Sequence, residues 1–156
     1  MTDMQSTVIT GDFGGLQSTE QPFYIPATSG ASRPRRSLKH NDTFAVFDSH
    51  GDIGATAGGP DGLFDFDTRF LSHLELLING TQPLLLGSTA RDDNLHLYVD
   101  LTNPDIFFEN AIVLPKDTVH ISRILYLRKG VLRERISVQN HGNTNIAINV
   151  SVAFDA

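Results

Sequence analysis

Val119-His120-Ile121-Ser122-Arg123-Ile124-Leu125-Tyr126-Leu127-Arg128 and Val131-Leu132-Arg133-Glu134-Arg135-Ile136-Ser137-Val138-Gln139 flank the pair Lys129-Gly130. Both arms alternate apolar with polar residues, which is the period of a half-buried strand. Lys129-Gly130 then reads as a two-residue hairpin loop. With Arg128 facing Val131, every cross-strand pair has numbers that sum to 259. Ile121 stands opposite Val138, Arg123 opposite Ile136, Leu125 opposite Glu134 and Leu127 opposite Leu132. The apolar positions share one face, so the register is self-consistent. That face also carries Arg123 and Glu134, diagonal neighbours of opposite charge. The leading reading is a structural ion pair between sheets; the alternative is the polar floor of a ligand groove.

Working outward, Ile146, Ile148, Val150, Val152 and Phe154 alternate with small and polar residues after a loop around His141-Gly142-Asn143. They are expected to form a third antiparallel strand whose apolar face lies beside Ile136 and Val138. Upstream, Phe44-Ala45-Val46-Phe47 reads as a strand followed by a turn at Asp48–Asp52, and Gly58-Gly59-Pro60-Asp61-Gly62 as a loop. Phe64–Ile78 fits both a helical stripe and a strand face; its shortness and the Asn79-Gly80 stop favour an extended segment. No amphipathic helix of useful length stands out from Leu38 onward. The expected class is all-β: an antiparallel β-sandwich, incomplete at its C-terminal end because the chain stops straight after an apolar strand. Residues 1–37 mix Gly, Ser, Thr, Gln and Pro without sustained period and are expected to be a flexible tail. Pro22-Phe23-Tyr24-Ile25-Pro26 is a candidate strap, and Arg33, Arg35, Arg36 and Lys39 form a basic cluster that reads first as solvated linker.

The composition excludes several classes. The chain has 156 residues with 12 Lys+Arg against 18 Asp+Glu, a net charge of −6 that argues against general nucleic-acid binding. It has no cysteine, hence no disulfide, thiolate metal site or thiol nucleophile. No signal-like segment or stretch of about 20 apolar residues occurs, so no membrane partner and a cytoplasmic setting are expected. The six histidines lie in separate elements without ligand spacing, and no phosphate-binding loop or nucleophile elbow is present, so no metal and no cofactor are expected.

Carboxylates are the remaining chemical candidates. On an extended Phe64–Phe70, Asp65, Asp67 and Arg69 would share one face, about 6.6 Å apart along the strand. That falls within the roughly 5–9.5 Å separating the carboxyl pairs of glycosidases. Arg69, however, would hold both carboxylates ionised, which does not suit a general acid. A structural charge cluster is the leading reading, with substrate binding by Asp65, Asp67 and Arg69 to a sugar, or cation binding, as the alternative. Asp48, Asp52 and Asp61 leave calcium as a minor option. Arg91-Asp92-Asp93-Asn94 and Leu101-Thr102-Asn103-Pro104-Asp105 read as polar turns. Phe107 and Phe108 are expected in the core, with aromatic sugar contacts as the alternative.

Several ordered pieces carry a resemblance. Leu38-Lys39-His40-Asn41-Asp42-Thr43-Phe44, His50-Gly51-Asp52-Ile53, Asp67-Thr68-Arg69-Phe70-Leu71-Ser72 and Arg91-Asp92-Asp93-Asn94 come first. They are followed by Asp100-Leu101-Thr102-Asn103-Pro104, Leu114-Pro115-Lys116-Asp117-Thr118-Val119-His120, Glu134-Arg135-Ile136-Ser137-Val138-Gln139-Asn140 and Phe154-Asp155-Ala156. Residues 38–156 thereby resemble the N-terminal domain of bacterial glycogen debranching enzymes of the amylo-α-1,6-glucosidase type. The resemblance implies a β-sandwich that precedes a helical toroid, with the acid and base of a glycoside hydrolase in the toroid and none in this chain. It also implies that the chain is truncated before the end of its own domain. The expected partners are the toroid, as a domain or a separate chain, and an α-glucan whose cleft the sandwich helps shape. An independent glucan-binding module and the structural product of a shortened gene are the competing expectations.

Overall fold

The computed structural model describes residues 34–54 and 58–156, so the Pro22–Pro26 strap and Arg33 lie outside the described residues. Among the described residues there are twelve strands and no helix. They run β1 (Arg36–His40), β2 (Thr43–Phe47), β3 (Gly62–Asp65), β4 (Thr68–Leu71), β5 (His73–Ile78), β6 (Leu84–Ala90), β7 (His96–Thr102), β8 (Ile106–Phe108), β9 (Ala111–Leu114), β10 (Val119–Arg128), β11 (Val131–Asn140) and β12 (Val150–Asp155). β1 begins at Arg36, inside the stretch read as tail.

One sheet has the order β11-β10-β7-β6 and another β1-β2-β3-β4, with β12-β5 and the hairpin β8-β9 as two-stranded pieces. All pairings are antiparallel. β10 and β11 pair in the register summing to 259, from Val119 with Asn140 to Arg128 with Val131. Lys129 and Gly130 take φ of 52° and 72°, the left-handed values of a two-residue turn whose twist suits the flanking strands. The inward residues of β10 are buried without exception, Arg123 among them. They join Leu97, Val99 and Leu101 of β7, Leu38 of β1, Ala45 and Phe47 of β2, and Leu76 and Ile78 of β5 in one core. Two sheets packed through alternating apolar side chains make an antiparallel β-sandwich.

Two expectations are overturned. The last strand does not lie beside β11. It pairs with β5 in a separate two-stranded piece, setting Val150, Val152 and Phe154 opposite Ile78, Leu76 and Leu74. The alternation of residues 146–154 asks only for a facing apolar row, and Leu74, Leu76 and Ile78 of β5 offer one just as β11 does, although Val150, Val152 and Phe154 stay exposed. The pairing is tied at its start by Asn79, whose N–H donates to the Asn149 carbonyl at 2.8 Å and whose Oδ1 accepts from Asn149 N at 2.7 Å.

The segment Phe64–Ile78 is likewise not one extended piece. It breaks into β3, β4 and β5, with Phe66 and Asp67 at φ of 44° and 64° in a tight turn. Phenylalanine is a poor residue for that backbone region, and Phe66, 74% exposed, gains little packing there. The turn is imposed by the strands on either side. Its neighbour Asn79-Gly80, at φ of 48° and 75°, is the ordinary chemistry for the same geometry.

Candidate functional site

Arg123 is the largest fully buried side chain, at 0% exposure, and its hydrogen-bond partners come from two separated segments. β11 supplies Glu134, whose Oε1 accepts from Arg123 Nε at 2.7 Å. The loop after β2 supplies the rest. Arg123 Nη1 donates to the His50 carbonyl at 2.8 Å and to Asp52 Oδ1 at 2.6 Å, and Nη2 donates to the Gly51 carbonyl at 3.2 Å. A buried guanidinium is tolerated only when its fixed fork of donors is met in this way.

That loop has its own internal logic. Asp48 Oδ1 accepts from the N–H groups of His50 at 2.8 Å and Asp52 at 3.0 Å, folding the chain back within five residues. Gly51 sits at φ 80°, and a Cβ there would come within 3.1 Å of Leu125 and 3.3 Å of Val99, so glycine is needed both for the backbone and for the approach of its carbonyl to Arg123. Asp52 then reaches across the layer: Oδ1 accepts from Leu76 N at 3.2 Å and Oδ2 from Gln82 Nε2 at 3.3 Å. One cation therefore joins β10, β11, the loop after β2 and, through Asp52, β5. Burial pushes the Asp48 carboxyl above its ordinary range, and the nearby Asp52 charge adds to that, against the lowering from the Asp52 and His50 N–H groups.

Sequence reasoning found Arg123 and Glu134 but considered Asp52 only as a minor calcium option, not as a partner of Arg123, which lies 71 residues away. The available signal was His50-Gly51-Asp52, one of the pieces that carry the family resemblance. Asn103 was read only as a turn residue. It is fully buried, and its side chain makes four hydrogen bonds: Oδ1 accepts from Thr118 N and Val119 N at 3.0 and 2.7 Å, and Nδ2 donates to the Pro104 and Pro115 carbonyls at 2.8 Å each. This amide locks the end of β7 to the start of β10.

The other predicted site residues are dispersed by the β3–β4 hairpin. Asp65 ends β3 and accepts from Thr43 Oγ1 at 2.6 Å, whereas Asp67 is exposed in the turn and Arg69 lies on β4 opposite Phe64. The three do not line one strand face, and no salt bridge joins Arg69 to Asp65 or Asp67. Arg69 instead belongs to a cross-strand row Lys39, Phe44, Phe64, Arg69, in which the two phenyl rings stack at 4.7 Å and 9°. The Arg69 stem fills the space above Gly62, where a Cβ would meet its Cδ at 2.8 Å. Of the carboxylates considered for calcium, Asp48 and Asp52 serve the Arg123 network and Asp61 pairs with Arg35 Nε at 2.7 Å. Among the described residues no group of three or more His, Asp or Glu side chains is placed to hold a metal ion.

Phe107 and Phe108 are not in the core. They stand 62% and 66% exposed on β8, with Ile112 and Val113 of β9 also exposed, so this short hairpin presents an apolar surface to solvent. Its turn, Glu109-Asn110, takes φ of 48° and 64°, while at the other end of the hairpin Leu114 is buried and Ile106 packs against the core. No helix among the described residues is long and apolar enough to cross a membrane.

No match to the chain was found among curated proteins or among solved structures. Residues 38–156, the part that contains the Arg123 network, the Asn103 lock and both hairpins, match the family described as the N-terminal domain of (some) glycogen debranching enzymes. The match spans well over half of the chain, and the protein therefore belongs to that family of glycogen debranching enzyme N-terminal domains.

Proposed function

We propose that this domain is noncatalytic by itself, packs in the cytoplasm on a helical toroid catalytic domain, and helps shape the cleft that receives an α-glucan branch. The observation that carries the reading is the β8–β9 hairpin. Four exposed apolar side chains on so small an element, with Phe107 and Phe108 on opposite faces of it, offer apolar surface for contact with a partner. The polar groups argue in the same direction. The fully buried Arg123 is met by Asp52, Glu134 and two backbone carbonyls, an arrangement that suits architecture. Asp67 and Arg69, exposed on the β3–β4 hairpin, are the side chains proposed to touch the glucan, with Asp65 holding that hairpin through Thr43. Binding energy gathered in this way would position a branch for cleavage by groups outside this chain.

The test mixes the full chain with a separately produced helical catalytic domain of a glycogen debranching enzyme. Association is followed by sedimentation, and debranching of a limit dextrin by glucose release. The chain alone is expected to release no glucose. The double variant Phe107→Ser/Phe108→Ser is expected to weaken association while leaving the fold intact, and Asp67→Asn/Arg69→Gln to weaken glycogen retardation on native gels. Debranching by the chain unaided, or association indifferent to the Phe107 and Phe108 changes, would sink the reading.

A further inference from the structure

β10 and β7 are the two central strands of their sheet, each hydrogen-bonded on both sides. Their inward residues belong to the core. Their outward residues form cross-strand rows: Tyr126 stands opposite His96, Ile124 opposite Tyr98 and Ser122 opposite Asp100, with Thr89 of β6 on the far side of Tyr98. Successive rows on one face are about 6.8 Å apart along the strands.

The rings of this face are gathered in one place. Tyr98 and Tyr126 are two of the chain's three tyrosines, and the chain has no tryptophan. His96 stacks on Tyr126 with ring centres 4.5 Å apart and planes at 23°, and lies 6.2 Å from Tyr98 at 16°. Tyr98 is 39% exposed, and Ile124 opposite it is half-buried. Around this apolar centre stand polar groups already held in position. His96 Nδ1 lies 3.3 Å from Asp93 Oδ2, His120 Nε2 lies 3.1 Å from Asp100 Oδ1, and Arg128 Nη1 donates to Tyr126 Oη at 3.3 Å. Asp93 Oδ1 also accepts from Leu95 N at 2.9 Å, and that N–H, followed by His96 and Arg91, holds the Asp93 carboxyl below its ordinary range. It is therefore an acceptor at neutral pH.

We propose that the outward face of β7 and β10 binds a short stretch of α-glucan, with sugar C–H faces against Tyr98 and its neighbouring rings and sugar hydroxyls against Asp93, Asp100 and Ser122. The chemistry of the face decides the occupant. A sugar presents an apolar face of C–H bonds and a rim of hydroxyls that both donate and accept. Tyrosine meets both at low conformational cost, through a rigid apolar ring and a polar tip. Carboxylates and imidazoles that already hold one another meet the hydroxyls without further ordering. A protein partner fits less well, because Asp93 and Asp100 lie among the rings and charged residues are depleted from the centres of protein interfaces. The rings are confined to two adjacent strands, a compact contact that suits a curving α-linked chain better than a flat, extended β-linked one. The proposal rests on the debranching-enzyme reading for the identity of the sugar, and adds a second contact to the one assigned to Asp67 and Arg69.

The probes are maltoheptaose and, as its β-linked counterpart, cellohexaose, each added at millimolar concentration to the full, isotope-labelled chain. The readout is the nuclear magnetic resonance of the Tyr98, Tyr126 and His96 rings. Maltoheptaose is expected to move these signals and cellohexaose to leave them in place. Tyr98→Ala, at an exposed position, is expected to weaken maltoheptaose binding about fivefold, the scale of one aromatic contact, and Tyr98→Phe to keep most of it. Ring signals indifferent to maltoheptaose, equal movement by both sugars, or undiminished binding by Tyr98→Ala overturns the proposal. Tyr98→Ala is also carried into sedimentation with the helical catalytic domain, where association is expected to be unchanged. Weakened association would assign this face to the catalytic domain, overturning the proposal and leaving the β8–β9 contact standing. Association indifferent to the Phe107 and Phe108 changes, with the ring signals still moved by maltoheptaose, would instead remove that contact and leave this one.

Discussion

The two hairpins β10–β11 and β8–β9 are made of similar residues and have opposite fates. Both turn on a left-handed pair, Lys129-Gly130 in one and Glu109-Asn110 in the other, and both are rich in isoleucine, valine, leucine or phenylalanine. β10 runs through the middle of a four-stranded sheet, so its inward side chains are buried and even a guanidinium is held among them. β8–β9 belongs to no larger sheet, and Phe107 and Phe108 stay in water. Apolar character alone does not place a side chain inside; a layer packed over its face does, as it does for Leu38 of the edge strand β1 and Leu76 of β5. The first hairpin is architecture, and the second is free to meet a partner.

That contrast can be broken at its strongest point by Arg123→Met. Asp52 and Glu134 would be left as buried charges and two loop carbonyls would lose their donor, so a loss of about 3–5 kcal/mol is expected in urea unfolding. A loss under about 1 kcal/mol would mean the network is ornamental. Asn103→Ala is expected to cost about 2–4 kcal/mol, because the buried N–H groups of Thr118 and Val119 lose their acceptor. Phe66→Asn acts in the other direction, relieving a bulky residue from a left-handed backbone and raising stability by about 1 kcal/mol, read as a higher urea midpoint at unchanged slope.

Asp48→Asn gives a pH signature. The folded carboxyl titrates above its unfolded counterpart, so above the unfolded value the folded state holds more protons and ionisation costs stability as pH rises. The asparagine variant escapes that cost. Its stability relative to the native chain should improve from about pH 4 upward and level off once Asp48 is fully ionised in the native chain; a difference flat across that range would contradict the burial argument. Smallest of all, Phe107→Ser/Phe108→Ser should shift unfolding by no more than about 0.5 kcal/mol, since those rings have little packing to lose.

How much was legible follows from the range of each interaction. The β10–β11 register could be read from the alternation and the Lys129-Gly130 pair because both are local. The β-sandwich class followed from strands separated by turn residues. The partner of β12 was hidden, because alternation asks only for a facing apolar row and says nothing about which strand offers it. Phe66-Asp67 went unread as a turn because neither residue advertises a left-handed backbone as Asn79-Gly80 does. Asp52 lay beyond local reasoning altogether, joined to Arg123 only once the loop after β2 had folded over β10.

The pairing of β12 with β5 also has a temporal meaning. Phe154 meets Leu74 eighty positions away along the chain, whereas β10 and β11 meet across a two-residue loop. Closing so long a span costs chain entropy before any contact repays it, so the short-range hairpin is ready to nucleate and the β5–β12 pair forms afterwards. A nascent chain would thus carry its arginine-bearing hairpin formed while β5 still waited for β12.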